Sequence, residues 1–169
     1  MRVSALAETR PPSFNVFLAQ MLALAGEPTR AEALARDYLA AQAGRFPIIE
    51  GTTAHFLYRE QPGLIAGVGG EWNGFDARRA IMEPIGGGLL HYAHTFEPDA
   101  RLDYLIYEVD AVWRDRLADP ALPAEMIPHI LRDPLNPHIG HSGLGARSEL
   151  AMPAYRRPAI TQRRSSRDD

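Results

Sequence analysis

The sequence predicts a mainly β protein, an antiparallel β-sandwich preceded by an α-helical hairpin. Three observations predict it. Up to residue 45 the apolar side chains recur at helical spacing; from Phe46 onward the apolar period shortens toward two; and glycine and proline turn signals then return every few residues.

Taken in order, the first helix opens at Ser13, which stands where a cap would after Pro11 and Pro12. It carries Phe14, Phe17, Leu18, Met21 and Leu22 on one face and ends at Gly26. Thr29 with Glu32 three residues later has the capping-box pattern, and Leu34, Tyr38 and Ala41 continue that helix to Gly44. Two short amphipathic helices joined at Gly26–Pro28 can dock on the sandwich or pair between chains, so a homo-oligomer through them stays open.

Strands are expected at Thr53–Arg59, Leu64–Val68, Ala80–Glu83, Leu89–Glu97 and Arg101–Val109. Pro62–Gly63, Gly86–Gly87–Gly88 and Pro98–Asp99 supply turns. Phe56, Leu57, Val68, Leu90, Tyr92, Tyr104 and Ile106 are the expected inner-face residues. The domain reading is 1–45 helical, 46–113 sandwich, 114–131 an inserted loop or short helix, 132–155 an extended connecting segment, and 156–169 a disordered arginine-rich tail.

Composition excludes several chemistries. Of 169 residues, 46% are hydrophobic and 23% charged, as in an ordinary globular protein. All 18 basic residues are arginine, and cysteine is absent. That removes Schiff-base and P-loop lysines, thiol nucleophiles and cysteine-ligated metals. A net charge of -3 with a pI near 6.1 gives no field for phosphate backbones, so nucleic acid is not an expected partner. No apolar run reaches signal-peptide or membrane-span length; the chain reads as cytoplasmic, with no membrane partner.

Each candidate motif needs a structural context to carry chemistry. Gly140-His141-Ser142-Gly143-Leu144-Gly145 places a serine between glycines, but its last glycine comes one position late for a GxSxG elbow. The proline-rich Asp133-Pro134-Leu135-Asn136-Pro137 before it cannot form the preceding central strand. His91 and His94, three apart on a strand, point to opposite faces; His138 and His141 lack a third ligand, so no metal is expected. Gly67, Gly69, Gly70 and Gly74 miss the dinucleotide pattern, since Trp72 occupies the final glycine position. No cofactor is expected.

The aromatic residues Trp72, Phe75 and Trp113 lie in loop-like contexts beside Asn73, Asp76, Arg78, Asp110 and Arg114. Flat rings flanked by hydrogen-bonding groups suit the CH face and hydroxyl rim of a sugar, and they suit a domain interface equally well.

Three segments carry a resemblance. Gly69-Gly70-Glu71-Trp72-Asn73-Gly74-Phe75 resembles the G-x-F-N-x-W loop of early-set, immunoglobulin-like domains related to glycogen-binding modules, and Tyr107-Glu108-Val109-Asp110-Ala111-Val112-Trp113 resembles their F-x-V-D-G-x-W segment. Arg132-Asp133-Pro134-Leu135-Asn136-Pro137 with Ser142–Pro153 resembles the junction after such a domain in esterases of the enterochelin-esterase type. The helical N-terminus followed by Phe46-Pro47-Ile48-Ile49-Glu50 and Ala54-His55-Phe56-Leu57-Tyr58-Arg59 fits the same architecture, and the resemblance covers residues 30 to 155. It implies an immunoglobulin-like early-set sandwich acting as a non-catalytic accessory domain, packed against an α/β-hydrolase domain outside this sequence and shaping access to its site. No catalytic residue is carried over. In the glycogen-binding relatives two tryptophans form a platform; Phe75 and Trp113 stand at those positions, and Ile106 replaces the basic residue between them. A stand-alone α-glucan-binding module using Phe75, Trp113, Trp72 and Asn73 is the alternative reading, and a serine esterase the second alternative.

Overall fold

The computed structural model describes residues 11–116, 129–142 and 145–158. Two helices, α1 (Phe14–Ala23) and α2 (Pro28–Ala41), precede nine strands: β1 (Ile48–Glu50), β2 (Thr53–Arg59), β3 (Leu64–Gly70), β4 (Glu83–Gly86), β5 (Leu89–Thr95), β6 (Arg101–Asp110), β7 (His129–Leu131), β8 (Ile139–Ser142) and β9 (Gly145–Ala151). They form two antiparallel sheets. The first has the order β1-β2-β5-β4 and the second β3-β6-β9-β8, with β7 also on β6. A β-sandwich with an N-terminal helical hairpin is therefore the fold.

Alternation along the strands sorts side chains into layers. Phe56, Tyr58, Val68, Leu90, Tyr104, Ile106 and Leu150 are buried between the sheets, and Tyr92 is half-buried against them. Leu57 is buried too, but on the opposite face of β2, beneath the helices. That face holds a second core in which Phe14, Phe17 and Met21 of α1 and Ala31, Ala35, Tyr38 and Leu39 of α2 meet Ile48, Leu57 and Leu89. Fully burying a phenylalanine contributes about 1.5–3 kcal/mol, so Phe14 and Phe17 alone give α1 a strong reason to dock. The hairpin thus spends its apolar face on its own sandwich, leaving Val16 and Leu22 exposed.

Ser13 caps α1, its Oγ accepting from Val16 N at 3.3 Å. The capping box expected at Thr29 does not form. Pro28 takes the first position of α2, where its fixed φ and missing N–H suit the helix start, so Thr29 lies one residue inside. The turn Gly86–Gly87–Gly88 holds three successive positive φ values of 94°, 60° and 69°. At Gly87 the hairpin also comes close: a Cβ there would lie 2.6 Å from the Ala31 carbonyl oxygen. Only glycine lets this turn slide under α2.

Two expected boundaries move. Ala80–Met82 runs beside β3, with Val68 N donating to Ala80 O and Met82 N to Ala66 O, and the strand proper begins at Glu83 in the other sheet. The described residues of 132–155, expected as a connecting segment, pack on the sandwich. β9 pairs with β6 and β8 with β9, so the second sheet continues to Ala151. The reason it reads as connecting chain is that its buried side chains are polar. Tyr104 Oη donates to Asp133 Oδ2 at 2.7 Å, Asn136 Nδ2 donates to Tyr104 Oη at 2.9 Å and to the Glu149 carbonyl at 2.8 Å, and Asp133 N donates to Ser148 Oγ at 2.8 Å. Burial holds the Tyr104 hydroxyl well above its ordinary pKa. Each of these groups finds a partner, which offsets its desolvation.

The end of the inserted segment is β7, paired to β6; residues 117–128 lie outside the described ones. Of the expected disordered tail, residues 156–158 are described and 159–169 are not. Arg157 is ion-paired with Glu149, which Arg101 also binds at 2.8 and 3.0 Å.

Candidate interaction face on the second sheet

A two-sheet sandwich has two outer faces. In this chain the helical hairpin covers the outer face of the first sheet, and the outer face of the second carries the aromatic residues Phe75, Tyr107 and Trp113. Along β6, Tyr104, Ile106 and Glu108 point inward, so Leu105, Tyr107 and Val109 point outward.

Trp72 and Phe75 leave the same turn in opposite directions. Gly70 ends β3 and precedes a 3-10 turn, Glu71–Asn73, after which Gly74 and Phe75 both take positive φ, 64° and 60°. Trp72 folds back over Gly70 into the space between the sheets, stacking on Phe56 at 5.8 Å and meeting Phe96 edge-on at 5.1 Å. Its indole N–H is buried without a hydrogen-bond partner among the described residues. Asn73 spends its amide on the turn: Oδ1 accepts from Gly70 N at 2.9 Å and Nδ2 donates to Val68 O at 2.9 Å.

Phe75 is a non-glycine residue in the left-handed region, which is uncommon and costs backbone energy. Its N–H donates to Gly70 O at 2.9 Å, and the Arg147 guanidinium of β9 lies over its ring at 4.3 Å. The Tyr107 ring covers Gly69 beside the Phe75 carbonyl. Burial raises the Tyr107 phenol above its ordinary pKa, with Arg147 opposing. Trp113 sits at the other end of β3, half-buried against Ile65, Val109 and Ile81. Ile65 and Gly69 are four residues apart, about 13 Å along an extended strand. Between them Ala77 closes over Gly67, where a Cβ would lie 2.6 Å from the Ala77 carbonyl oxygen. Phe75 and Trp113 thus flank a covered stretch of sheet. Ile106, at the position of the relatives' basic residue, is fully buried between the sheets and cannot reach this face.

Around these rings are residues the sequence reading did not single out. Ile130 of β7 pairs with Tyr107 and is 55% exposed; Val112, next to Trp113, is 75% exposed. The period-two pattern of Leu105, Tyr107 and Val109 was the available signal for Tyr107. On the inner side of the same strands, buried Glu108 accepts from Tyr58 Oη at 2.6 Å and from His129 Nδ1 at 3.0 Å. These three come from β2, β6 and β7, and no local motif joins them.

The other candidate motifs fall into place. His91 faces the helices and stacks on Phe14, whereas His94 faces the sandwich interior and stacks on Trp72. No group of three or more histidine or acidic side chains among the described residues could hold a metal ion. Gly140–Gly145 spans an antiparallel pairing of β8 with β9, with Ser142 opposite Gly145, and residues 143 and 144 lie outside the described ones. Among the described residues, β8 is followed by β9 and not by the helix that a serine nucleophile elbow needs. No described helix is long and apolar enough to cross a membrane.

Fold and face together define the class: a two-sheet β-sandwich, sealed by helices on one side and aromatic on the other. No family model matches the chain, and no curated protein matches it. Among solved structures, the enterobactin esterase FES of Shigella flexneri is similar, at 20% identity and a TM-score of 0.44 in the presence of 2,3-di-hydroxy-N-benzoyl-glycine. With 2,3-di-hydroxy-N-benzoyl-serine present the values are 21% and 0.42. Both alignments cover 62% of this chain and 30% of the esterase chain. A further enterochelin esterase structure from Shigella flexneri gives 20% and 0.43 over 61% and 30%. The chain spans less than a third of the length of these proteins.

Proposed function

We propose that this chain is the non-catalytic accessory domain of an α/β-hydrolase esterase. It packs against a catalytic domain through the outer face of the second sheet and shapes substrate access there. One observation carries the reading. Of the segments that resemble the esterase-associated domain, 69–75, 107–113, 132–137 and the described residues of 142–153 are far apart in sequence, yet build the second sheet and its margins, whereas 46–50 and 54–59 run into the first. The opposite side of the sandwich is already occupied by the hairpin.

The chemistry of the face agrees. Half-buried rings with a polar edge, such as Tyr107 and Trp113, together with exposed Ile130 and Val112, are the residue types that protein contacts favour. The α-glucan alternative has less behind it, because Asn73 and Trp72 are committed to the turn and the core and Ala77 fills the sheet between Phe75 and Trp113.

Hydrolysis of p-nitrophenyl acetate by the purified chain and by Ser142→Ala tests the non-catalytic part. The two proteins should release nitrophenol at the same rate. Turnover that disappears in Ser142→Ala overturns the proposal.

A further inference from the structure

His55 on β2 and His91 on β5 stand diagonally on the helix-facing side of the first sheet, with His55 Nδ1 3.1 Å from His91 Nε2. A hydrogen bond between two ring nitrogens needs one to carry hydrogen and the other a lone pair. One imidazolium in the pair preserves it; two would set N–H against N–H.

The pair is sealed by α1. The Phe14 ring stacks on both imidazoles, its centroid 4.3 Å from His55 and 4.5 Å from His91, and its backbone N–H donates to Glu50 Oε1 at 2.5 Å. Phe14 is fully buried and opens the helix, so whatever moves these rings moves the hairpin.

Among the described residues, the groups facing the cluster are few. β1 supplies Glu50, and α2 supplies the Tyr38 phenol, neutral because burial lifts its pKa to about 12. From β4 comes Glu83, opposite His91 in register and exposed, and the end of β2 carries exposed Arg59 on the same face. α1 contributes no charged side chain. Glu50 offsets a first positive charge while keeping its bond to Phe14; solvent screens Glu83, so a second charge has little to balance it.

We propose that this pair is an acid-operated latch: double protonation parts the rings, displaces Phe14 and releases the α1–α2 hairpin from the first sheet, uncovering Ile48, Leu57 and Leu89. The direction of the titration agrees. Burial lowers both imidazoles; His91 falls to about 4 because the charge on His55 adds to its burial, whereas Glu50 partly restores His55. The docked state therefore binds fewer protons than the released state. Docking is unaffected above the ordinary imidazole pKa of about 6.5 and weakens between there and about 4, by up to about tenfold per pH unit for each proton taken up.

The test is amide exchange of the whole chain, corrected for intrinsic rates, at about pH 7 and about pH 4.5. Protection of residues 14–41 should fall at least about tenfold more than that of residues 101–110. His91→Phe keeps a ring against Phe14 that takes no proton, and should hold the hairpin closed at the lower pH. The imidazole resonances of the unmodified protein supply a readout that needs no variant: His91 should titrate well below the free imidazole range. Hairpin protection that tracks β6 through acidification, an unchanged response in His91→Phe, or an ordinary titration of His91 would each overturn the latch.

Discussion

Tyr104 on β6 donates its hydroxyl hydrogen to the Asp133 carboxylate at 2.7 Å, across 29 residues of sequence and inside the sandwich. Through this bond, and the bonds of Asn136 and Ser148, the proline-rich segment 132–137 becomes part of the core.

Tyr104→Phe leaves Asp133 and Asn136 each short of a buried partner, which costs about 1–3 kcal/mol. Urea denaturation should show a lower midpoint with an unchanged slope. Stability equal to the unmodified protein would mean that the network does not hold the segment in place.

Gly87 and Gly88 both have positive φ, so alanine at either should cost about 1–2 kcal/mol from the backbone alone. Gly88 has open space around it, whereas a Cβ at Gly87 meets Ala31, Met21 and Ala35 within 3 Å. Gly87→Ala should therefore be worse by about a further 1–3 kcal/mol. Equal thermal shifts for the two variants would contradict the docking of the hairpin on this turn.

Glu108 and His129 share one hydrogen bond, but their variants should behave differently. Glu108 is buried and also accepts from Tyr58, so Glu108→Ala strands a buried hydroxyl at a cost of about 1–3 kcal/mol. The His129 side chain is 63% exposed, and His129→Ala should stay within about 0.5 kcal/mol. Chemical denaturation of both variants separates the two cases.

Titration with maltoheptaose to millimolar concentration should leave the fluorescence of Trp72 and Trp113 unchanged. A saturable shift, lost in Trp113→Ala, would favour the sugar-binding alternative.

The parts of this fold that were legible in the sequence are those set by periodicity. Phe14, Phe17 and Met21 announce a helix face, and Phe56, Val68 and Ile106 mark strands with an inner face. The parts that were not legible depend on long-range polar pairing. Ser148 and Glu149 occupy buried strand positions with side chains that read as exposed, and their partners Asp133 and Arg101 lie 15 and 48 residues away. The expected site divided for a similar reason. A loop reading places Trp72, Asn73 and Phe75 together, but two successive positive φ values send the Phe75 ring outward while Trp72 turns into the core.

The proposed docking of a hydrolase domain on the outer face of the second sheet has a direct readout. Amide exchange of this chain alone, compared with the same chain joined to the α/β-hydrolase domain of the proposed parent esterase, measures that directly. New protection is expected at residues 105–113 and 129–131, reduced by Tyr107→Glu, with residues 14–41 unchanged. Protection confined to the helical hairpin, or none anywhere on the sandwich, would contradict it.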